Sequence, residues 1–191
     1  MSKYSMKPKR LEINEAVKCL RGGGVIAYPT EAVWGLGCDP FNLHAVNRLL
    51  ALKQRSKSKG LILAAASISQ VGVLIEALSL AQQKQVESKW PGPVTWIIPD
   101  ISNIIPSWIK GQHAKVAVRV SNHPIVKDLS NAFGGMIVST SANFNNESEI
   151  KSFEILERQF GSKVDGIVKG DLGLSINPSE IWDVESGIRI R

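Results

Sequence analysis

The run Val25-Ile26-Ala27-Tyr28-Pro29-Thr30-Glu31-Ala32-Val33-Trp34-Gly35-Leu36-Gly37 constrains the fold more than any other stretch of the chain. Val25 to Tyr28 read as a short buried strand, and Pro29, which has no N–H to give to a ladder, ends it. A hydroxyl, a carboxylate, an indole and two glycines then crowd into what reads as one turn. Loops that leave the end of a buried strand are where α/β proteins hold their ligands. The segment therefore predicts both an architecture and the position of a site.

The rest of the chain repeats that grammar. Ile13, Ala16, Val17 and Leu20 recur at helical spacing and stop at Gly22-Gly23-Gly24. Leu43, Val46, Leu49, Leu50 and Leu52 mark a second amphipathic helix, whose end delivers Lys53 and Arg55. Residues 61–66 read as a buried strand and 68–88 as helical; Trp90-Pro91-Gly92-Pro93 reads as a rigid turn into a strand at 94–98. Residues 99–115 read as loop and Val116 to Val120 as a central strand. Pro124 opens a helix to about Phe133. Met136-Ile137-Val138 reads as a strand that runs into Ser139-Thr140-Ser141-Ala142-Asn143, and a helix follows over about 152–160. Short strands are expected at 167–168, 180–182 and 188–190. Alternating strands and helices give an α/β fold, and the terminal strands without intervening helices make the sheet mixed.

At 191 residues and 43% hydrophobic the chain suits one buried core, with no linker or repeat to divide it. Two cysteines, Cys19 and Cys38, make no disulfide framework, and without a CxxC or a histidine cluster no zinc site is indicated. The basic start, residues 1–10, is followed by no apolar signal core, and no run approaches the ~20 residues of a membrane span. A soluble cytoplasmic protein is expected. The 23 basic against 17 acidic residues leave a net charge of +6, which fits an anionic partner (nucleotide, phosphate or nucleic acid) as well as a plain basic surface.

Several residues carry chemistry. Arg55 offers a planar fork and Lys53 a point charge, with Lys57 and Lys59 beside them; helix C-terminal electrostatics is the alternative explanation. Arg119 lies inside an apolar strand pattern, so it meets either a buried carboxylate such as Glu31 or Asp39, or an anion in a cleft. Ser139, Thr140, Ser141 and Asn143 supply hydroxyls and an amide, which also suit turn chemistry, and there is no GxSxG elbow. His44, His113 and His123 are scattered. The glycine triplet precedes its strand, and no GxxxxGK[ST] occurs, so neither a dinucleotide fingerprint nor a Walker loop is present.

Tyr28-Pro29-Thr30-Glu31 through Cys38-Asp39-Pro40, Leu52-Lys53-Gln54-Arg55, Lys59-Gly60-Leu61-Ile62-Leu63, Trp90 to Thr95, Val116 to Val120, Ser139 to Asn143 and Asn177-Pro178-Ser179-Glu180-Ile181 stand in an order that resembles the YrdC-like threonylcarbamoyl-AMP synthases, in their short single-domain bacterial form. The resemblance implies one catalytic domain over residues 1–191 and a twisted mixed sheet, flanked by helices, around a large basic concave cavity. It implies conversion of L-threonine, bicarbonate and ATP to threonylcarbamoyl-AMP and pyrophosphate, the step before N6-threonylcarbamoyladenosine formation beside the tRNA anticodon. Lys53 and Arg55 would be catalytic. Lys53, Arg55, Thr95, Ser141, Asn143 and Arg189 would bind ATP; Thr30, Arg119, Ser139, Thr140 and Ser179 would bind threonine. Mg2+ would come with ATP and not through a dedicated protein site. Downstream threonylcarbamoyl-transfer proteins are the implied partners, with contact to RNA or tRNA and none to a membrane. Ser56 stands where the family often has proline, which should loosen that loop. Phe144-Asn145-Asn146 replaces a common Ser-Gly pair. The competing reading is an RNA-binding or ribosome-maturation factor using the same cavity. Against it, no ribonucleoprotein aromatic motif is present, and Trp90 and Trp96 suit core positions.

Overall fold

A computed structural model describes residues 8–145 and 147–191. The basic stretch before residue 8 and Asn146, both noted above, lie outside the described residues. Among the described residues nine strands form one sheet: β1 (Arg10–Leu11), β2 (Ile26–Pro29), β3 (Trp34–Gly37), β4 (Ile62–Ala65), β5 (Val94–Pro99), β6 (Lys115–Val120), β7 (Ile137–Ser141), β8 (Gly166–Val168) and β9 (Glu180–Asp183). Their order is β1-β8-β2-β3-β7-β4-β6-β5-β9. Parallel pairs (β1/β8, β2/β8, β4/β6, β5/β9) and antiparallel pairs (β2/β3, β3/β7, β4/β7, β5/β6) make it a mixed sheet.

Seven α-helices among the described residues flank it: α1 (Ile13–Arg21), α2 (Leu43–Lys53), α3 (Gly72–Glu76), α4 (Leu80–Glu87), α5 (Ser107–Lys110), α6 (Pro124–Phe133) and α7 (Phe153–Phe160). Strand side chains alternate between the two faces, so each face acquires its own core. On one, Leu36, Leu63, Val118 and Val138 pack with Leu49 of α2, Leu74 of α3 and Phe160 of α7. On the other, Ile26, Tyr28, Ala64 and Ile137 pack with Ala16 and Leu20 of α1 and with Val126 and Leu129 of α6. The α1–α6 pair covers only part of this second face. Where it stops, the exposed remainder of the sheet becomes a wall.

The structure departs from the sequence expectations at informative places. Trp34–Gly37 is not part of a turn; it pairs antiparallel with β2, opposite Tyr28 and its neighbours. Glycine disfavours strands, yet a Cβ on Gly37 would stand 2.4 Å from the Val138 carbonyl oxygen and 2.7 Å from the Tyr28 ring. Close packing therefore overrides propensity. Ser139 to Ser141 lie within β7, not beyond it. The helical stretch 68–88 divides into a 3-10 turn, α3 and α4, while α5 appears inside the expected loop 99–115. β1 carries no sequence signal. Of the strand expected at 188–190, only an isolated bridge between Trp182 and Arg189 forms. Ser56 does not leave its loop open: its hydroxyl accepts from the Ser58 N–H at 3.2 Å and starts a 3-10 turn over Lys57–Lys59. Among the described residues no helix is long and apolar enough to cross a membrane.

Candidate active site

The uncovered face of the sheet walls a cavity of about 780 Å³. On β6, Val116, Val118 and Val120 are buried at 1%, 0% and 0% exposure, while Ala117 and Arg119 alternate with them and line the cavity. Register carries the same logic to the neighbours: Gly35 of β3 sits opposite Ser141 of β7, and Ile62 of β4 opposite Ala117 and Ser139. The β2–β3 turn, the loop after α2, the segment before β9 and the C-terminal residues Ile190 and Arg191 complete the rim.

Of the residues expected from sequence, Thr30, Arg55, Arg119, Ser139, Thr140, Ser141 and Ser179 line this cavity. Thr30 closes the β2–β3 turn, its hydroxyl donating to the Val33 carbonyl at 2.7 Å. Arg119 is 7% exposed and its Nη1 lies 2.9 Å from Glu31 Oε2, a close ion pair outside hydrogen-bond alignment. Glu31 also accepts from the Ser121 hydroxyl at 2.6 Å. Burial alone would raise the Glu31 pKa; the charge of Arg119 and the Ser121 hydrogen bond outweigh it and hold the carboxyl below its ordinary value. The two alternatives for Arg119 thus coexist: it is paired to a buried carboxylate and it faces the cleft.

Four expected residues do not line the cavity. Lys53 is 3% exposed, and its ammonium donates to the carbonyls of Ser141 and Asn143 and to Asn143 Oδ1. It holds the Ser141–Asn143 loop from behind. Gln54, in the left-handed region at φ 54°, ends α2 and sends Lys53 and Arg55 different ways. Asn143 is consumed in the same clamp, accepting from the Ser141 hydroxyl and donating to the Glu147 carbonyl, each at 2.7 Å. Thr95 is fully buried and bonds the Ser179 hydroxyl at 2.8 Å, so it supports a lining residue. Arg189 is exposed and paired with Glu180 at 3.0 Å.

Arg191, which sequence reasoning passed over in favour of Arg189, lines the cavity and donates to the Ser179 carbonyl at 3.0 Å. Period-two alternation would put residues 189 and 191 on one face, so spacing alone does not tell them apart; their partners do, Glu180 for Arg189 and the Ser179 carbonyl for Arg191. Burial and the positive charge of Arg191 both lower the Arg55 pKa. Arg55 spends one Nη on the Gly60 carbonyl at 3.0 Å, while its Nε, like that of Arg119, is buried without a partner. Unpaired buried guanidinium donors are costly unless an anion meets them. Among the described residues Arg55, Lys59 and Arg191 make no ion pair, whereas Lys110 and Lys115 are paired with Asp100 and Asp183 at 2.7 Å each. Unpaired cations and a paired Arg119 in one cavity suit anionic ligands. No group of three His, Cys, Asp or Glu side chains fit for a metal occurs among the described residues.

Three of the five tryptophans are core residues and give no platform for stacking bases. Trp34, Trp90 and Trp96 are 3%, 5% and 2% exposed, and Trp90 donates to the Val94 carbonyl at 2.7 Å. Both cysteines are free, and burial pushes the Cys38 thiol up to about 12.

Comparison with known proteins agrees with this geometry. The family model Sua5_yciO_yrdC, described as Telomere recombination, matches residues 18–191. A curated protein named threonylcarbamoyl-AMP synthase, from Marinobacter nauticus, is 46% identical over 184 residues, covering 96% of this chain and 97% of its own. Its namesake from Coxiella burnetii is 49% identical over 179 residues, covering 94% and 96%. Among solved structures, P. abyssi Sua5 complexed with L-threonine aligns with a TM-score of 0.83 at 30% identity over 92% of this chain and 52% of that protein, so this chain spans about half its length. E. coli YciO shares the fold, with a TM-score of 0.83 at 24% identity over 96% and 91% of the two chains.

Proposed function

Because the chain belongs to the Sua5, YciO and YrdC family, we propose that its cavity is the active site of a threonylcarbamoyl-AMP synthase. The reaction joins L-threonine, bicarbonate and ATP into threonylcarbamoyl-AMP, with release of pyrophosphate and water. The threonine nitrogen attacks bicarbonate carbon and water leaves. The resulting carbamate oxygen then forms a bond to the α-phosphorus as the bond to pyrophosphate breaks.

Every reactant on that path is anionic, so the site's work is to offset repulsion and hold the attacking and leaving oxygens in line. The observation that carries the reading is that Arg55 and Arg119 line one cavity and each keeps a buried Nε without a partner. Arg55, Lys59 and Arg191 would grip the phosphates. Arg119, kept in place by Glu31, would hold the threonine carboxylate, with Thr30, Ser139, Thr140 and Ser179 offering hydroxyls around it. Ser141, clamped through Lys53 and Asn143, would line the boundary between the two substrates. Mg2+ would enter as the counter-ion of ATP; the described residues offer no cluster of three ligands for it. No side chain is required as a general base in this scheme. The labile product would pass to proteins that transfer the threonylcarbamoyl group to adenosine in tRNA.

The test is pyrophosphate release from ATP with Mg2+ and bicarbonate, with and without L-threonine. Release should require threonine and fall at least 100-fold in Arg55→Ala, while the urea midpoint of that variant stays close to wild type. Threonine-independent release, or a loss of activity matched by a loss of folding, would refute the reading.

A further inference from the structure

Between β8 and β9 the chain runs through residues 169–179 without regular structure, yet its end supplies Ser179 to the cavity. The far end of this segment is held by Lys151, which donates to the Ile176 carbonyl at 2.8 Å, and by Thr95 and Arg191 at Ser179; its middle is held on the β2–β3 turn. The Gly173 N–H donates to the Thr30 carbonyl at 2.9 Å and the Ser175 N–H to the Glu31 carbonyl at 3.0 Å. These are the carbonyls of the turn that carries the hydroxyl and carboxylate of the candidate threonine pocket. The fit is close: a Cβ on Gly173 would stand 2.7 Å from the Glu31 carbonyl oxygen.

A further contact comes from the residue that precedes α6. His123 is 5% exposed and occupies the N-cap position of α6, but its side chain makes no cap bond. Instead its Nε2 lies 3.1 Å from the Asp171 carbonyl oxygen. A carbonyl only accepts, so Nε2 carries the proton. The His123 backbone N–H donates to the Ser121 hydroxyl at 3.1 Å, and that hydroxyl donates to Glu31, the partner of Arg119. His123 thus touches both halves of the pocket wall: the segment through its ring, and the Glu31–Arg119 pair through Ser121. Its Nδ1 is buried without a partner, which leaves no acceptor to reward protonation of the ring. Burial, the largest influence, and the nearby Arg119 lower its pKa and outweigh the Asp171 carbonyl and Glu31, which favour the charged ring.

We propose that His123 is a positioning residue for threonine: its imidazole latches residues 169–179 onto the Thr30–Glu31 turn, and so sets Ser179 and Arg119 at their working separation. The ring does not line the cavity and takes no part in bond making. The proposal rests on the assignment of this cavity to threonylcarbamoyl-AMP synthesis. Its structural half can be measured independently of that assignment.

The experiment pairs amide hydrogen exchange with steady-state kinetics on His123→Phe, which keeps a ring and loses the donor, and His123→Gln, whose amide can still reach a carbonyl. In His123→Phe the Gly173 and Ser175 amides should exchange about tenfold faster, as expected for one lost hydrogen bond. The KM for threonine should rise about tenfold while that for ATP stays within about twofold, a split that general destabilisation would not produce. His123→Gln should recover most of both effects. Unchanged exchange at Gly173 and Ser175, or equal rises in both KM values, overturns the proposal. Should His123→Phe fail to fold, His123→Leu removes the same donor and must reproduce the threonine-selective KM rise; an ATP-selective effect or none overturns the proposal. If the wild type shows no threonine-dependent turnover, the functional assignment fails, and the exchange comparison alone decides whether the latch exists.

Discussion

Lys53 provides a test whose sign is counter-intuitive. Its ammonium is 3% exposed, held by two carbonyls and one amide oxygen, with the positive Arg55 nearby. Burial first, and Arg55 second, bring its pKa from an ordinary 10.5 down to about 8, against a weaker opposing pull from Glu149. In the unfolded chain the same lysine titrates near ~10.4. Between those values the unfolded state binds a proton that the native state has released, so this group adds stability as pH rises. At ~1.4 kcal/mol per pH unit the contribution amounts to about 3 kcal/mol between pH 8 and 10.5.

Lys53→Met removes that titration and also strands three acceptors, which costs on the order of 2–4 kcal/mol, partly offset by no longer burying a charge. The assay is urea unfolding of both proteins at pH 7, 8, 9 and 10. All other groups titrate in both proteins and cancel in the difference. The stability gap should widen with pH by about 3 kcal/mol, a midpoint separation of roughly 1–2 M urea at m values typical of this size. Parallel pH curves would refute the reasoning, because they would mean that Lys53 keeps its proton as easily in the fold as outside it. A gap that narrows would mean that the clamp stabilises the ammonium more than burial penalises it.

Three further outcomes follow from single contacts. Arg119→Ala leaves Glu31 buried without its counter-charge and should cost about 3–5 kcal/mol, read by urea unfolding; adding Glu31→Gln should return much of that stability without restoring turnover. Gly37→Ala should destabilise by about 2–4 kcal/mol, since a Cβ there would lie 2.4 Å from the Val138 carbonyl oxygen and 2.7 Å from the Tyr28 ring; a change under about 0.5 kcal/mol would mean β3 yields freely. With its folded pKa held below 4.5, Glu31 contributes stability that is complete above that pH and lost as pH falls through the folded value; acid titration of wild type against Glu31→Gln should show the wild type losing more stability below pH 4.5.

What could be read from sequence follows from how local each cause is. The apolar runs of β2, β4 and β6 and the periodic faces of α1, α2 and α6 declare themselves within a few residues, so element types and the mixed α/β class were legible. β3 was not. Gly37 is explained by the Tyr28 ring and the Val138 carbonyl, one on the neighbouring strand and the other about a hundred residues away in sequence, and no local pattern contains that reason. The two-residue β1, which pairs with β8 far along the chain, fails for the same cause. Strand alternation was the signal that could have moved Ser139 to Ser141 into β7.

The Lys-x-Arg pair shows where sequence reasoning about a site stops. Both side chains are cationic and both belong to a recognisable motif, so the sequence assigns them one task. Backbone geometry gives them two. The left-handed residue between them turns Lys53 inward, where its three donors match three acceptors of the Ser141–Asn143 loop, and leaves Arg55 on the cavity side with an unpartnered Nε. An ammonium whose three N–H donors go to neutral protein oxygens keeps its charge but has no donor left to give, whereas Arg55 retains an unpartnered buried donor. Loss of Lys53 should therefore act on the shape of the Ser141 loop and loss of Arg55 on the substrate charge itself. That distinction appears as different pH and stability signatures even where both variants are equally inactive.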